Sequence, residues 1–302
     1  MEFAVLGPLD VRLDAESVAL PGGIPQTLLA HLLLRPNQVV AADDLIEVLW
    51  GDEAPRTARN VLQAHVATLR RALRQGSEEV ADRLETRGSG YRIRVEPDEL
   101  DSEVFAALTA EARRRQRANP VLASDLLARA LDLWRGPVCA GLEVFAGSDG
   151  GALARLEDLR LGAIELRAEL DLRLGRAVDV IANLTPLAAE NPFRERLQAL
   201  LMLALYRAGR QTEALATYRQ VRRVLDEELG IEPGPELRAL ELAILRQDRE
   251  LLADPRRGDE APVADGPGHP GPLAGGGGAV PHVLPAELTQ FIGRDAELTG
   301  IL

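Results

Sequence analysis

Residues 55–76 hold five arginines (Arg56, Arg59, Arg70, Arg71 and Arg74) and no carboxylate, in a chain whose 47 acidic residues outnumber its 35 basic ones for a formal net charge of −12. The segment PRTARNVLQAHVATLRRALR spaces its apolar residues for a helix over 55–74, because Leu62, Val66, Leu69 and Leu73 lie four, three and four residues apart and stack into one buried stripe. The opposite side then carries Asn60, Ala64, Ala67, Arg71 and Arg74, flanked by Arg56, Thr57, Arg59, Gln63, Thr68 and Arg70. Guanidinium groups pair with phosphates or guanine edges, amides read adenine edges, and small residues let the backbone approach a groove. The chemistry offered is therefore the non-covalent reading of duplex DNA.

A second basic element follows. Residues 83–95, RLETRGSGYRIRV, form two strand-like runs around Gly-Ser-Gly and read as a β-hairpin bearing Arg83, Arg87, Arg92 and Arg94 against the single acid Glu85. Arginine on a narrow turn beside a recognition helix suits the negative potential of a minor groove, with Arg87, Ser89 and Arg92 as its candidate contacts. Residues 1–97 contain 14 acids and 11 arginines, so the distribution of charge, not its sum, nominates this region.

Composition removes other chemistries. All basic residues are arginine, which excludes a Walker-type phosphate loop and a Schiff-base lysine within these residues. No nucleophile is paired with a base and no glycine loop sits on a strand-to-helix turn, so no catalytic residue and no enzymatic activity are expected. Cys139 is alone and the four histidines are scattered, so neither a disulfide nor a metal site is expected, and no cofactor. The N-terminus lacks the basic start and apolar core of a secretory signal, and no apolar run reaches membrane-spanning length, so the expected setting is a reducing cytoplasm without membrane contact. His65 lies toward the core side of its helix and reads as a packed residue, as do Trp50 and Trp134.

These residues need positioning elements. Short apolar runs over residues 2–20 suit a small antiparallel sheet. PQTLLAHLLLR places Leu28, Leu29, Leu32 and Leu33 on one helical face that ends at Pro36-Asn37, and DDLIEVLWG forms a second helix packing Leu45, Ile46 and Leu49 and stopping at Gly51. Pro55 stands near the start of the third. The order is sheet, three helices, hairpin.

Residues 101–252 read as helical, with breaks at Asn119-Pro120, Gly136-Pro137, 147–151, Gly175, Asn191-Pro192, Gly209 and 230–234. LRLGRAVDVIANL and YRAGRQTEALATY set Gly175-Arg176 and Gly209-Arg210 34 residues apart, the period of a tetratricopeptide helix pair, with Ala214 and Tyr218 at its small and aromatic positions. A helical solenoid and an ordinary bundle both accommodate this. Residues 254–284 are rich in Pro and Gly and read as a flexible linker, and residues 285–302 regain apolar content like the start of a further unit.

Several segments together resemble the Streptomyces antibiotic regulatory protein family of pathway-specific transcriptional activators: FAVLGPLDVR, LLLRPNQVVAADDLIEVLWGDEAPRTARNVLQAHVATLRRAL, TRGSGYRIRV, LDLWRGP, RLEDLRLGAIE and LMLALYRAGRQTEALATYRQVRRVLDEELGIEPGPELRALELAILRQD, over about residues 2–248. The resemblance implies an α+β winged helix-turn-helix of OmpR type at 1–97, followed at 98–253 by an all-α, tetratricopeptide-like bacterial transcriptional activation domain. It also implies binding to direct repeats in double-stranded promoter DNA near the −35 region of an antibiotic gene cluster, self-association on that DNA, and recruitment of RNA polymerase holoenzyme at the nucleoid. The loop with Gly51, Asp52 and Glu53 would face polymerase. Residues 285–302 resemble the lead into the nucleotide-binding domain of larger members, of which the chain reads as the N-terminal portion. One departure concerns specificity: VATLR replaces the VSRLR of many relatives, so Ala67 and Thr68 stand where a hydroxyl and a base are expected. The competing readings are a protein-binding helical scaffold whose basic helix is only a surface, and the regulatory front end of a signalling NTPase.

Overall fold

The computed structural model describes residues 1–14, 16–76, 81–142 and 150–252. Strands β1 (Glu2–Ala4), β2 (Asp10–Leu13) and β3 (Glu16–Ser17) form an antiparallel sheet in that order, turning Phe3 and Val11 inward. Helix α1 (Ile24–Leu33) buries Leu28, Leu29, Leu32 and Leu33 completely, as their spacing requires. Asn37 follows it at φ 63°, a left-handed conformation that Asn tolerates. Its side-chain amide donates to the Val95 carbonyl at 2.9 Å and accepts the Val95 N–H at 3.0 Å, so the turn after α1, which ends at Leu33 before the expected Pro36-Asn37 break, also fixes the far end of the hairpin.

Strand β4 (Val40–Ala41) runs directly into α2 (Ala42–Trp50), which carries Asp43 and Asp44 in its first turn and stops at Gly51, φ 52°. A 3₁₀ turn, Gly51–Glu53, leads to α3 (Ala58–Gly76). The third helix thus begins three residues later than Pro55. The Pro55 carbonyl accepts the Ala58 N–H in the approach turn, and the Thr57 carbonyl accepts the Asn60 and Val61 N–H groups. Strands β5 (Leu84–Arg87) and β6 (Gly90–Ile93) form the hairpin and pair with β4 in the order β4-β6-β5. Leu62, Val66, Leu69 and Leu73 of α3 are buried, as the stripe predicts.

Among the described residues seven α-helices follow: α4 (Asp101–Arg115), α5 (Pro120–Leu131), α6 (Gly150–Arg173), α7 (Ala177–Glu190), α8 (Glu195–Arg207), α9 (Gln211–Leu229) and α10 (Pro235–Leu245). Asn119 caps α5 by accepting the Leu122 N–H at 3.0 Å, with Pro120 in the first turn. The 34-residue period is visible in the backbone. Gly175 donates to Leu172 and Arg176 to Asp171, and 34 residues on Gly209 donates to Tyr206 and Arg210 to Leu205. Both are left-handed glycine caps, at φ 77° and 75°. Ala214 and Tyr218 are buried where the repeat needs a small and an aromatic residue. Successive helices from α6 to α10 pack on their sequence neighbours, and α6 and α10 both also reach α8, which is the solenoid arrangement. Part of the expected break at 147–151, residues 77–80 after α3 and everything beyond residue 252 lie outside the described residues.

One apolar cluster runs without interruption from Phe3 through the three helices and hairpin to Phe105, Leu127, Cys139 and Leu170. A second, from Ala168 to Ile244, fills the later helices. The sequence boundary at residue 97 is crossed by direct bonds: Asp101, at the start of α4, accepts the N–H groups of Val5 and Leu6 at 2.8–3.0 Å, while Arg135 and Cys139 donate backbone N–H groups to Leu6 and Val5. Burial raises the Asp101 carboxyl above its ordinary value despite these donors, and the same burial pushes the Cys139 thiol up to about 12. That thiol is an inert core group.

Candidate nucleic-acid interface

Helix α3 presents Arg59, Asn60, Gln63, Ala64, Ala67, Arg71 and Arg74 to solvent, with Arg56 and Thr57 exposed on the turn before it. Asn60, Ala64, Ala67, Arg71 and Arg74 follow one another at four- and three-residue steps and make a single stripe opposite the buried leucines. Among the described residues, Arg56, Arg71 and Arg74 have no hydrogen bond or ion pair, so their guanidinium groups are available to an external anion. Thr68 is half-buried and donates its hydroxyl back to the Ala64 carbonyl at 2.9 Å, which leaves the oxygen as an acceptor only.

Two arginines behave differently from the sequence expectation. Arg70 is a structural clamp: its Nε and Nη2 donate to the Leu84 carbonyl at 2.9 and 2.7 Å, and Nη2 also reaches the Thr86 hydroxyl at 2.9 Å. It joins α3 to β5, and its Nε and Nη2 are committed to the fold. Arg83 is buried and forks onto Glu99 at 2.8 and 3.1 Å, so it adds nothing to the exposed charge of the hairpin. Arg59 remains exposed but bridges both oxygens of Asp43 on α2 at 2.7 Å. Such a solvent-exposed pair is worth little, and a phosphate can compete for it.

The hairpin turns at Gly88-Ser89, with Gly88 at φ 56°, a conformation suited to a two-residue turn that begins with glycine. Its registered pairs put Glu85 opposite Arg92, and Glu85 collects three guanidinium groups: Arg87 at 2.9 Å, Arg92 at 2.5 Å and Arg94 at 3.8 Å. The hydrogen bonds from Arg87 and Arg92 hold the Glu85 carboxyl down at about 2. Glu85 thus orders the wing arginines while leaving the group net positive. Ser89 is exposed at the tip, and its carbonyl accepts the Ala42 N–H at 3.0 Å, tying the tip to the start of α2.

A carboxyl depressed in the folded state contributes stability that is full above its unfolded value near 4.5 and disappears as pH falls through about 2. The stability difference between the protein and its Glu85→Gln variant therefore shrinks progressively between those pH values. Urea titrations across that window measure it. A difference that stays constant with pH would remove Glu85 from this role.

Trp50 and His65 lie near one another, with ring centroids 6.1 Å apart, and both are half-buried, so His65 packs as expected. Asp52 and Glu53 are exposed on the 3₁₀ turn with Gly51. Sequence reasoning missed Asp43, Glu85 and Gly90 as site-forming residues. Glu85 was legible only as the one acid among the hairpin arginines; its pairing with Arg92 follows from a turn of two residues, Gly88-Ser89, with Gly90 already in β6, where the sequence reads a Gly-Ser-Gly turn. Among the described residues no helix is long and apolar enough to cross a membrane.

A family model described as "Transcriptional regulatory protein, C terminal" matches residues 25–93, and one described as "Bacterial transcriptional activator domain" matches residues 100–245. Regulatory protein AfsR of Streptomyces griseus is 40% identical over 305 residues, covering all of this chain and 29% of that protein. The chain therefore spans less than a third of the length of that relative. Regulatory protein DnrI of Streptomyces peucetius is 37% identical over 271 residues, 87% of this chain and 98% of that protein. The structure of Mycobacterium tuberculosis EmbR in complex with a low-affinity phosphopeptide superposes with a TM-score of 0.76 at 36% identity, over 82% of this chain and 65% of that one. An OmpR-like winged helix joined to a helical activator domain is thus shared along with more than a third of the sequence, and the chain belongs to the Streptomyces antibiotic regulatory protein family of DNA-binding transcriptional regulators.

Proposed function

We propose that the protein activates transcription of an antibiotic biosynthetic gene cluster by reading direct repeats near the promoter −35 region and recruiting RNA polymerase holoenzyme in the cytoplasm. The observation that carries this reading is the stripe on α3, where Arg71 and Arg74 continue from Asn60, Ala64 and Ala67 and lack partners within the described fold. In this reading α3 enters the major groove, with Asn60 and Gln63 at base edges and Arg56, Thr57, Arg59, Arg71 and Arg74 on phosphates or guanine. Ala64, Ala67 and Thr68 set the close approach and the local preference. The wing places Arg87, Ser89 and Arg92 over the adjacent minor groove. Residues 1–97 read DNA and residues 98–253 form the activation unit, through which copies associate side by side on the repeats.

The turn Gly51–Glu53 supplies a separate function in this scheme. Asp52 and Glu53 are exposed and lie outside the α3 stripe, as a surface offered to basic residues of polymerase would. Asp52→Asn combined with Glu53→Gln is expected to lower activated transcription several-fold in a purified system while promoter affinity stays within a factor of about two, since rim charges contribute little to binding away from their partner. Loss of DNA affinity in proportion to the loss of transcription would place the loop in DNA binding instead. Unchanged transcription would remove it from the polymerase contact.

A further inference from the structure

The helical half contains a cavity of about 200 Å³ that none of the DNA or polymerase chemistry uses. It opens where the two apolar clusters meet: Leu131 packs on the first, and Ile164, Val180 and Leu184 belong with the second. Into these apolar walls project Arg160, Arg167, Asn183 and Asp171. An apolar hollow with a few convergent polar groups is the usual form of a small-molecule site.

The polar groups are incompletely matched. Asp171 receives the Ser124 hydroxyl at 2.7 Å and Arg176 at 3.1 Å through one oxygen, while Arg167 stands 3.6 Å from the other, beyond a hydrogen bond. The Arg167 Nε is buried without a hydrogen-bond partner. Arg160 lies over the Trp134 ring, 4.6 Å from its centre, and reaches Glu157 only at 3.6 Å. The Trp134 indole N–H beneath it is likewise buried and unmatched. The charged residues that line the cavity are thus two arginines, Arg160 and Arg167, and one carboxylate, Asp171, which is already engaged by Ser124 and Arg176. One negative charge balances the group, and a buried donor without an acceptor is costly.

From this geometry we infer that the cavity binds a small organic monocarboxylate with an apolar body, its carboxylate shared by Arg160 and Arg167 and its body against Ile164, Val180 and Leu184. The volume restricts the ligand to one smaller than ordinary drug-sized molecules, whose pockets begin at about 300 Å³. Planar guanidinium donors favour a carboxylate over a neutral amide of the same shape.

Trp134 is a built-in reporter, because the chain has only two tryptophans. In the Trp50→Phe background, titration with hexanoate is expected to produce a saturable change in Trp134 fluorescence and a matching calorimetric isotherm, while hexanamide produces neither. Arg167→Gln and, separately, Arg160→Gln are expected to weaken hexanoate binding at least tenfold by calorimetry, with helical circular dichroism confirming that each variant is folded. No saturable binding, equal binding of hexanamide, or binding that survives both substitutions overturns the assignment. DNA affinity is measured independently, so the outcome does not depend on the DNA-reading proposal.

Discussion

Replacing Arg71 and Arg74 together with alanine is expected to lower affinity for duplex DNA about a hundredfold, uniformly across sequences. Each removes a charge-assisted contact of roughly 1.5 kcal/mol, and each 1.4 kcal/mol is about tenfold in affinity. The dependence of log K on log salt should flatten by about 1.8, since each phosphate contact contributes about 0.9. Neither side chain has a partner in the described fold, so the thermal midpoint should hardly move. Arg70→Ala provides the contrast. It breaks the bonds to Leu84 and Thr86, so it should lower the thermal midpoint while leaving the salt slope nearly unchanged. Anisotropy titrations in a salt series decide the matter: an unchanged slope in the double variant would exclude Arg71 and Arg74 from phosphate contact.

The difference between Arg70 and Arg71 also marks what the sequence could convey. A helical projection places Arg70 at the edge of the stripe, where either solvent or a neighbour is compatible with the spacing. Its assignment depends on β5 arriving beside it with the Leu84 carbonyl exposed along its edge, a tertiary fact that periodicity does not contain. The buried leucines of α1 and α3 were legible because their positions depend on helix period alone. The two glycine caps were legible too, because a 34-residue repeat carries its own register. Arg83 was misread for a related reason. It lies just before β5, where strand alternation no longer governs side-chain direction, and Glu99 returns from beyond the hairpin to pair with it. The continuity of the first apolar cluster across residue 97 is accompanied by Asp101 binding Val5 and Leu6 just after β1, a contact spanning up to 96 residues for which no local signal exists.

Gly90→Ala should be among the most damaging single changes to the wing, although it adds only one methyl group. A Cβ at Gly90 would stand 2.2 Å from the Val40 carbonyl oxygen and 2.9 Å from its carbon, both backbone atoms that no rotamer change can move aside. Relief requires β6 to separate from β4, the strand that pairs Val40 with Tyr91 and Ala41 with Gly90. Overpacking of this kind costs on the order of 3 kcal/mol, which lowers the melting temperature by roughly 6–12 °C for a unit of this size. The functional loss follows from connectivity. β4 leads without a loop into α2, whose Ala42 N–H is held by Ser89 at the wing tip, and Asp43 one residue later holds Arg59. Displacing the wing therefore shifts the start of α2 and the support of α3, so DNA affinity should fall with the melting temperature. Gly88→Ala is the discriminating comparison: its Cβ meets open space, and only the left-handed φ of 56° penalises it, by about 1 kcal/mol. If Gly88→Ala proved the more destabilising of the two in thermal melts, the close approach of β6 to β4 would not be what makes glycine necessary at residue 90, and the wing would be held chiefly by its turn.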